Sequence, residues 1–313
     1  MKTDNAEDVS LGSPIISVRG LSKIYRGKVV TRALDDISFD VRRHETFTLL
    51  GRNGAGKTTT VKILATLMKR DSGDVSIFGS DPQQSSSAIR EKIAIVPQEG
   101  KPIDYLSPKE NIVLYLRMRG VQRSEAQTRA ENIIDDFGMS EFAHKKSSIL
   151  STGQRQITLV AMAISSNPEL IFLDEPTLGL DPVTRQRVWQ KINELKKVCT
   201  IFLTTHYMDE AEKLSDTVAL IKKGVIVKKG APQELINDLG YDHKIIVKGL
   251  VNNTTFSEFK SQLVVNDTLM IFIEKNRIEE AAGKAVRAGL EFSTARVSLE
   301  DVFIITLEDD EEK

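Results

Sequence analysis

Apolar and polar positions along the chain fall into short strand-like runs alternating with helical ones. Thr46-Phe47-Thr48-Leu49-Leu50 is an apolar run, and Val61 to Leu67 is helix-patterned, with glycine-rich Gly51 to Thr59 between them. Before this unit, Ile15 to Val18 reads as a strand, and alternating Ala33 to Val41 as a half-buried antiparallel strand. After it come a strand over Asp74 to Gly79, a polar loop over Ser80 to Ser87 and a buried strand over Ile93 to Val96. From Ser107 to Ala143 the period becomes helical, started by Ser107-Pro108-Lys109-Glu110 and stopped by Gly120 and Gly138. This block interrupts the strand–helix alternation and reads as an inserted subdomain.

Alternation resumes with a helix from Ser151 and an apolar strand over Leu170 to Leu173. A helix over Val183 to Lys197 follows, then a strand over Thr200 to Leu203. A hairpin over Val218 to Ile221 and Val225 to Val227, turning at Gly224, closes this part. The rest reads as a separate β-α-β-β-α-β unit. Its strands are Lys244 to Lys248, Leu263 to Val265, Leu269 to Ile273 and Glu291 to Val297, with Asn266-Asp267 as a turn. Its helices are Thr255 to Gln262 and Ile278 to Ala288, giving a small ferredoxin-like α+β domain. Leu299, Val302 and Phe303 then form one apolar helix stripe, suited to packing on a partner, back on the cassette, or over its own domain's core.

At 313 residues and 40% hydrophobic, the chain has material for about two domains. A formal net charge of −1 gives no reason to expect nucleic acid as a partner. Met1 to Ser10 is acidic and polar, unlike a secretion signal, and no apolar run is long enough to span a bilayer. The expectation is a cytoplasmic protein that meets a membrane only through a partner. The single Cys199 lies in a strand-like run and reads as a packed thiol.

Chemistry concentrates at four places. Gly51-Arg52-Asn53-Gly54-Ala55-Gly56-Lys57-Thr58-Thr59, between strand and helix, fits a phosphate cradle of inward backbone N–H groups at a helix N-terminus. Lys57 would reach the β- and γ-phosphates, and Thr58 would offer its hydroxyl to Mg²⁺. Asp174 and Glu175 follow an apolar strand and stand at its C-terminal end, where α/β sheets bind ligands. Ser151 and Gln154 have capping-box spacing, which by itself reads as an ordinary cap. Tyr25, by periodicity alone, is an aromatic near a turn.

The order of phosphate loop, Gln98, Ser151-Thr152-Gly153-Gln154, Asp174-Glu175, Asp181 and His206 resembles that of ATP-binding-cassette ATPases from Ile15 to about Leu239. The resemblance implies an α/β P-loop NTPase cassette: a RecA-like core, an antiparallel β subdomain and an inserted helical subdomain at about 100–167. No guanine motif is present, so ATP is expected. The resemblance further implies that Tyr25 stacks on adenine and that Asp174, Thr58 and Gln98 serve Mg²⁺. Glu175 would be the general base, Gln98 would also touch the water, and His206 would touch the γ-phosphate. Ser151 to Gln154 and Asp181 would meet ATP bound to the other subunit of a head-to-tail dimer.

Three residues depart from the family pattern: Arg52 for a common Pro, Thr152 for a common Gly, and His44 for a frequent turn Gly. None removes a reacting group. The ending Ser298-Leu299-Glu300-Asp301-Val302-Phe303 is similar to the tails of type-2 exporter ATPases of the drug- and sodium-extrusion kind. The implied layout is a frayed N-terminus (1–14), a cassette (15–240), an accessory domain (241–307) and a solvated acidic tail (308–313). The implied function is an export-system ATPase at the cytoplasmic face of the membrane, working on a separate permease with a second cassette, identical or sister. Soluble repair or translation ATPases are the alternative, but they carry a long coiled-coil insertion or two cassettes per chain. An importer ATPase is the other alternative.

Overall fold

The computed structural model describes residues 13–248, 255–259, 261–265 and 268–308. The chain divides into two compact units, Met1–Val227 and Lys228–Lys313. The expected N-terminal fraying and the acidic tail fall outside the described residues, apart from 13, 14 and Glu308.

The first unit opens with an antiparallel pair, β1 (Ile16–Arg26) and β2 (Val30–Val41), both longer than their apolar runs. β3 (Thr46–Leu50) leads through the glycine-rich loop to α1 (Lys57–Leu64). β4 (Ser72–Ile77) returns to pair with β1, so Ile16 and Val18 sit mid-sheet, opposite Val41 and Phe39 on one side and Ile77 and Val75 on the other. The stretch read as a loop ends in α2 (Ser86–Lys92), which runs into β5 (Ile93–Val96).

The inserted helices are α3 (Pro108–Met118), α4 (Arg123–Asp136) and α5 (Thr152–Ser165). Ser107 and Glu110 form a full capping box, while Gly120 and Gly138 end their helices at φ 86° and 61°. Ile112, Leu116, Ala126, Ala130, Met139 and Ala161 give this block its own core.

The central sheet is completed by β6 (Leu170–Asp174), α6 (Pro182–Leu195), β7 (Thr200–Thr205), α7 (Met208–Leu214), β8 (Thr217–Lys222) and β9 (Val225–Gly230). Its strand order is β5-β6-β7-β3-β8-β9, with β5 through β8 paired in parallel. β3, β6 and β7 are buried at every position, as strands covered on both faces must be, which explains their unbroken apolar runs. Phe39, Phe47 and Phe202 stack with ring centroids 5.0 and 5.4 Å apart, so β2 packs on the central sheet through aromatic faces. Cys199 is buried, and that burial pushes its thiol up to about 12.

The second unit holds α8 (Pro232–Asn237), β10 (His243–Lys248), β11 (Gln262–Val265), β12 (Thr268–Ile273), α9 (Ile278–Arg287), β13 (Phe292–Arg296) and α10 (Leu299–Glu308). The antiparallel order β11-β12-β10-β13 is that of a ferredoxin-like sheet. One expected helix is corrected. Thr255 to Glu258 form a turn and Gln262 opens β11, because the Gln262 amide donates to the carbonyls of Phe256 (2.6 Å) and Phe259 (2.5 Å). That side chain closes the turn where a helical backbone ladder was expected, and Phe256 and Phe259 are buried. The Asn266-Asp267 turn lies outside the described residues. Leu299, Val302 and Phe303 are buried within the chain, and their helix packs on α8 of the same unit. The unit begins before Tyr241 because α8 packs on α10.

Candidate functional site

The loop after β3 is shaped by what surrounds it. A Cβ on Gly51 would lie 2.4 Å from the Ile221 carbonyl oxygen, and one on Gly56 would lie 2.6 Å from that of Ala33. Gly56 also holds φ 111°, so glycine is required there twice over. No side chain caps α1, whose first-turn N–H groups therefore face the loop as an anion site. A cleft of about 570 Å³ opens there, lined by Tyr25, Asn53, Gly54, Lys57, Thr58 and Gln98 among others. That is the size of a small-ligand site.

Lys57 is buried and donates to the carbonyls of Gly51 (2.8 Å) and Arg52 (3.3 Å). Its ammonium also pairs with Glu175 Oε1 at 3.0 Å. The other Glu175 oxygen meets His206 Nδ1 at 2.6 Å. Glu175 holds φ 53°, a strained position fixed by its N–H donating to Thr204 O (3.0 Å) and Oγ1 (3.2 Å). Asp174 Oδ1 accepts from Thr204 Oγ1 (2.5 Å) and Thr58 Oγ1 (3.3 Å). Burial pushes the Asp174 carboxyl above the usual carboxylate range, against the pull of those two hydroxyls. Tyr25 is half-exposed at the cleft, its hydroxyl 3.2 Å from Thr59 Oγ1. Thus β3, β6 and β7, neighbours in the sheet, deliver Lys57, Asp174, Glu175 and His206 to one place.

Other expected residues stand apart from this cleft. Arg52 is exposed and not part of the lining. Ser151 and Gln154 form the expected capping box of α5. Asp181 caps α6, accepting from the N–H groups of Val183 and Thr184 at 3.0 Å each. Gly153 is closed in by Thr184: a Cβ there would lie 2.3 Å from Thr184 Cγ2.

Residues not singled out from the sequence surround His206. The Tyr207 ring lies tilted against its ring with centroids 4.1 Å apart, and the Arg185 guanidinium lies 4.2 Å from the Tyr207 ring centre. Thr31, Arg32, Ala33 and Lys223 also line the cleft. Their signal was absent because they come from β2 and from the turn after β8, far from the loop in sequence.

A glycine-rich phosphate cradle before α1, acids at the tip of β6, and a separate capped serine–glycine helix define a P-loop ATPase of the ATP-binding-cassette class. Comparison agrees. The family described as "ABC transporter" matches residues 34–178. Doxorubicin resistance ATP-binding protein DrrA of Mycobacterium tuberculosis is 35% identical over 92% of this chain and 88% of its own. Nod factor export ATP-binding protein I of Burkholderia thailandensis is 31% identical, covering 92% and 95%. A solved dimeric ATP-binding cassette, MJ0796 bound to ADP and Pi, superposes with TM-score 0.62 at 26% identity over 69% of this chain and 98% of that one. The chain belongs to the ABC transporter ATP-binding proteins. It is an ATP-binding, ATP-hydrolysing transport subunit of the exporter kind.

Proposed function

We propose that ATP lies in the Tyr25–Lys57 cleft, adenine against Tyr25 and phosphates on the N-terminus of α1, and that Glu175 activates the attacking water. The observation that carries this reading is the bracketing of Glu175 between Lys57 at 3.0 Å and His206 at 2.6 Å. Arriving phosphates compete with the two loop carbonyls and Glu175 for the Lys57 ammonium. Their capture of Lys57 leaves Glu175 to accept a proton from water, while His206 holds its other oxygen in line. Strain at Glu175 fixes the carboxylate before substrate arrives, so little is lost to ordering.

The Thr58 hydroxyl and Asp174 carboxylate are hard oxygen donors on one side of the cleft, which fits Mg²⁺ shared with nucleotide phosphates. Gln98, at the rim, completes the expected set. Bound there, the metal would offset charge building on the phosphates. No group of three or more His, Cys, Asp or Glu forms a metal cluster among the described residues, so a metal held here would draw on the Thr58 hydroxyl and the substrate for its remaining ligands.

Ser151, Gly153, Gln154 and Asp181 do not line this cleft, and the family resemblance assigns them to ATP held by a second cassette, identical or sister. Asp181 and Ser151 are exposed, available for that role. Among the described residues no helix is long and apolar enough to cross a membrane. The names of its relatives as ATP-binding proteins of resistance and export systems support work at the cytoplasmic face on a separate permease that selects the cargo. The names of its relatives support export over import or a soluble role.

Glu175→Gln keeps shape and removes the base. It should bind ATP, form an ATP-dependent dimer on gel filtration, and lose hydrolysis by roughly 10²-fold or more. Turnover near that of the unaltered protein would overturn the base assignment.

A further inference from the structure

Beside the Glu175–His206 pair sits a carboxylate that the proposed chemistry leaves unused. Glu210, on α7, is 0% exposed. Its Oε1 accepts from Thr177 Oγ1 (2.7 Å) and Trp189 Nε1 (2.8 Å). The Thr205 hydroxyl is a third neighbour. Oε2 makes no hydrogen bond among the described residues. Burial raises this carboxyl above its ordinary range, and the nearby Glu175 charge adds to that. Such a group is costly, and stability alone does not explain it.

Its partners explain it. Thr177 lies in the turn just after Glu175, Thr205 directly precedes His206, and Trp189 lies on α6, whose cap is Asp181. We propose that Glu210 is a positioning residue that pins the Glu175 turn, the end of β7 and α6 together, and so sets the Glu175–His206 geometry. Two further contacts agree with this. The Lys213 ammonium lies 4.8 Å from the Trp189 ring centre, fastening α7 to α6 a second time. Arg185, also on α6, lies over the Tyr207 ring, which in turn touches His206 in a tilted contact. A displacement of the base by about 1 Å is enough to cost ~10²-fold in rate.

The inference rests on the roles given to Glu175 and His206, so Glu175→Gln is measured alongside. In the full chain, Glu210→Ala should lower kcat by roughly ten- to a hundredfold while ATP affinity stays within about twofold. Glu210→Gln keeps an oxygen for both donors and should restore most of kcat. Trp189 is the only tryptophan, so its emission reports the same bond: shifted in Glu210→Ala, near normal in Glu210→Gln. Thr177→Val cuts only the link to the base turn. It should lower kcat and leave Trp189 emission unchanged, and it carries the test alone if Glu210→Ala does not fold. Unaltered kcat in Glu210→Ala or Thr177→Val overturns the proposal. So does Glu210→Gln losing kcat and ATP binding together as Glu210→Ala does. Full activity in Glu175→Gln beside loss in Glu210→Ala would fault the base assignment and not the pinning.

Discussion

Single residues hold two different kinds of cost. Glu175 at φ 53° and His44 at φ 58° each occupy left-handed backbone that disfavours a side chain by about 1–2 kcal/mol. At His44 the turn before β3 imposes it, as expected where a glycine is frequent, and the His44 N–H donates to Thr200 Oγ1 at 2.9 Å. Asp81 shows the opposite case. Arg70 grips it with two bonds of 2.8 and 2.7 Å, holding its carboxyl down from 3.8 to about 2. A depressed pKa stabilises the fold above 3.8, and that stabilisation is lost as pH falls toward about 2. Asp81→Asn should therefore be less stable at neutral pH by about 1 kcal/mol, discounted for solvent access. Urea unfolding should show the gap closing on acidification; a gap independent of pH would remove the ion pair as its cause. Lys57, Thr58, Asp174 and Glu175 were legible in the sequence because phosphate chemistry demands their types at fixed spacing. Glu210 was not, since Met208-Asp209-Glu210-Ala211-Glu212-Lys213-Leu214 reads as any amphipathic helix and its partners assemble only in the fold.

Elements were legible where they were long or bounded by strong punctuation. α2, α7 and α8 span seven, seven and six residues, too few for a helical period to stand out from polar loop sequence. The turn at Thr255 was missed because a single glutamine side chain, invisible to periodicity, replaces a helical ladder. The contact of α5 with α6 has a sharper consequence. Gly153 admits no Cβ because Thr184 Cγ2 would be 2.3 Å away, and Thr184 Oγ1 in turn donates to Asp181 Oδ2 at 2.6 Å. Both helix starts proposed to act on the second cassette's ATP are thus set against each other within one chain. Gly153→Ala should destabilise by about 1–3 kcal/mol through overpacking and lower ATPase activity. Adding Thr184→Ser removes the clashing methyl, keeps the hydroxyl on Asp181, and should restore part of both. Unfolding curves and ATPase rates check this; no recovery in the double variant would mean that the clash is not the cause.

At the scale of the whole molecule, the position of the second unit's start decides how the chain can be cut. The first unit contains the cleft, the acids and the central sheet up to the first half of β9, the strand that runs across the boundary to Gly230. α8 follows at once, and its Leu235 and Ile236 are buried, with α10 packed on it. The second unit is tied internally by Lys244 and Asp301, buried and 2.6 Å apart, and Asp301 also accepts from the Ser298 N–H at 2.9 Å. A chain ended after Gly230 should therefore fold, melt cooperatively and bind ATP. One ended after Gly240 keeps α8 without α10, exposes Leu235 and Ile236, and should aggregate more readily by light scattering. Both should lose permease association or coupled ATPase activity if the second unit serves assembly. Equal behaviour of the two truncations would place the effective boundary near Tyr241, while unfolding of the shorter one would make the second unit part of the cassette's own core.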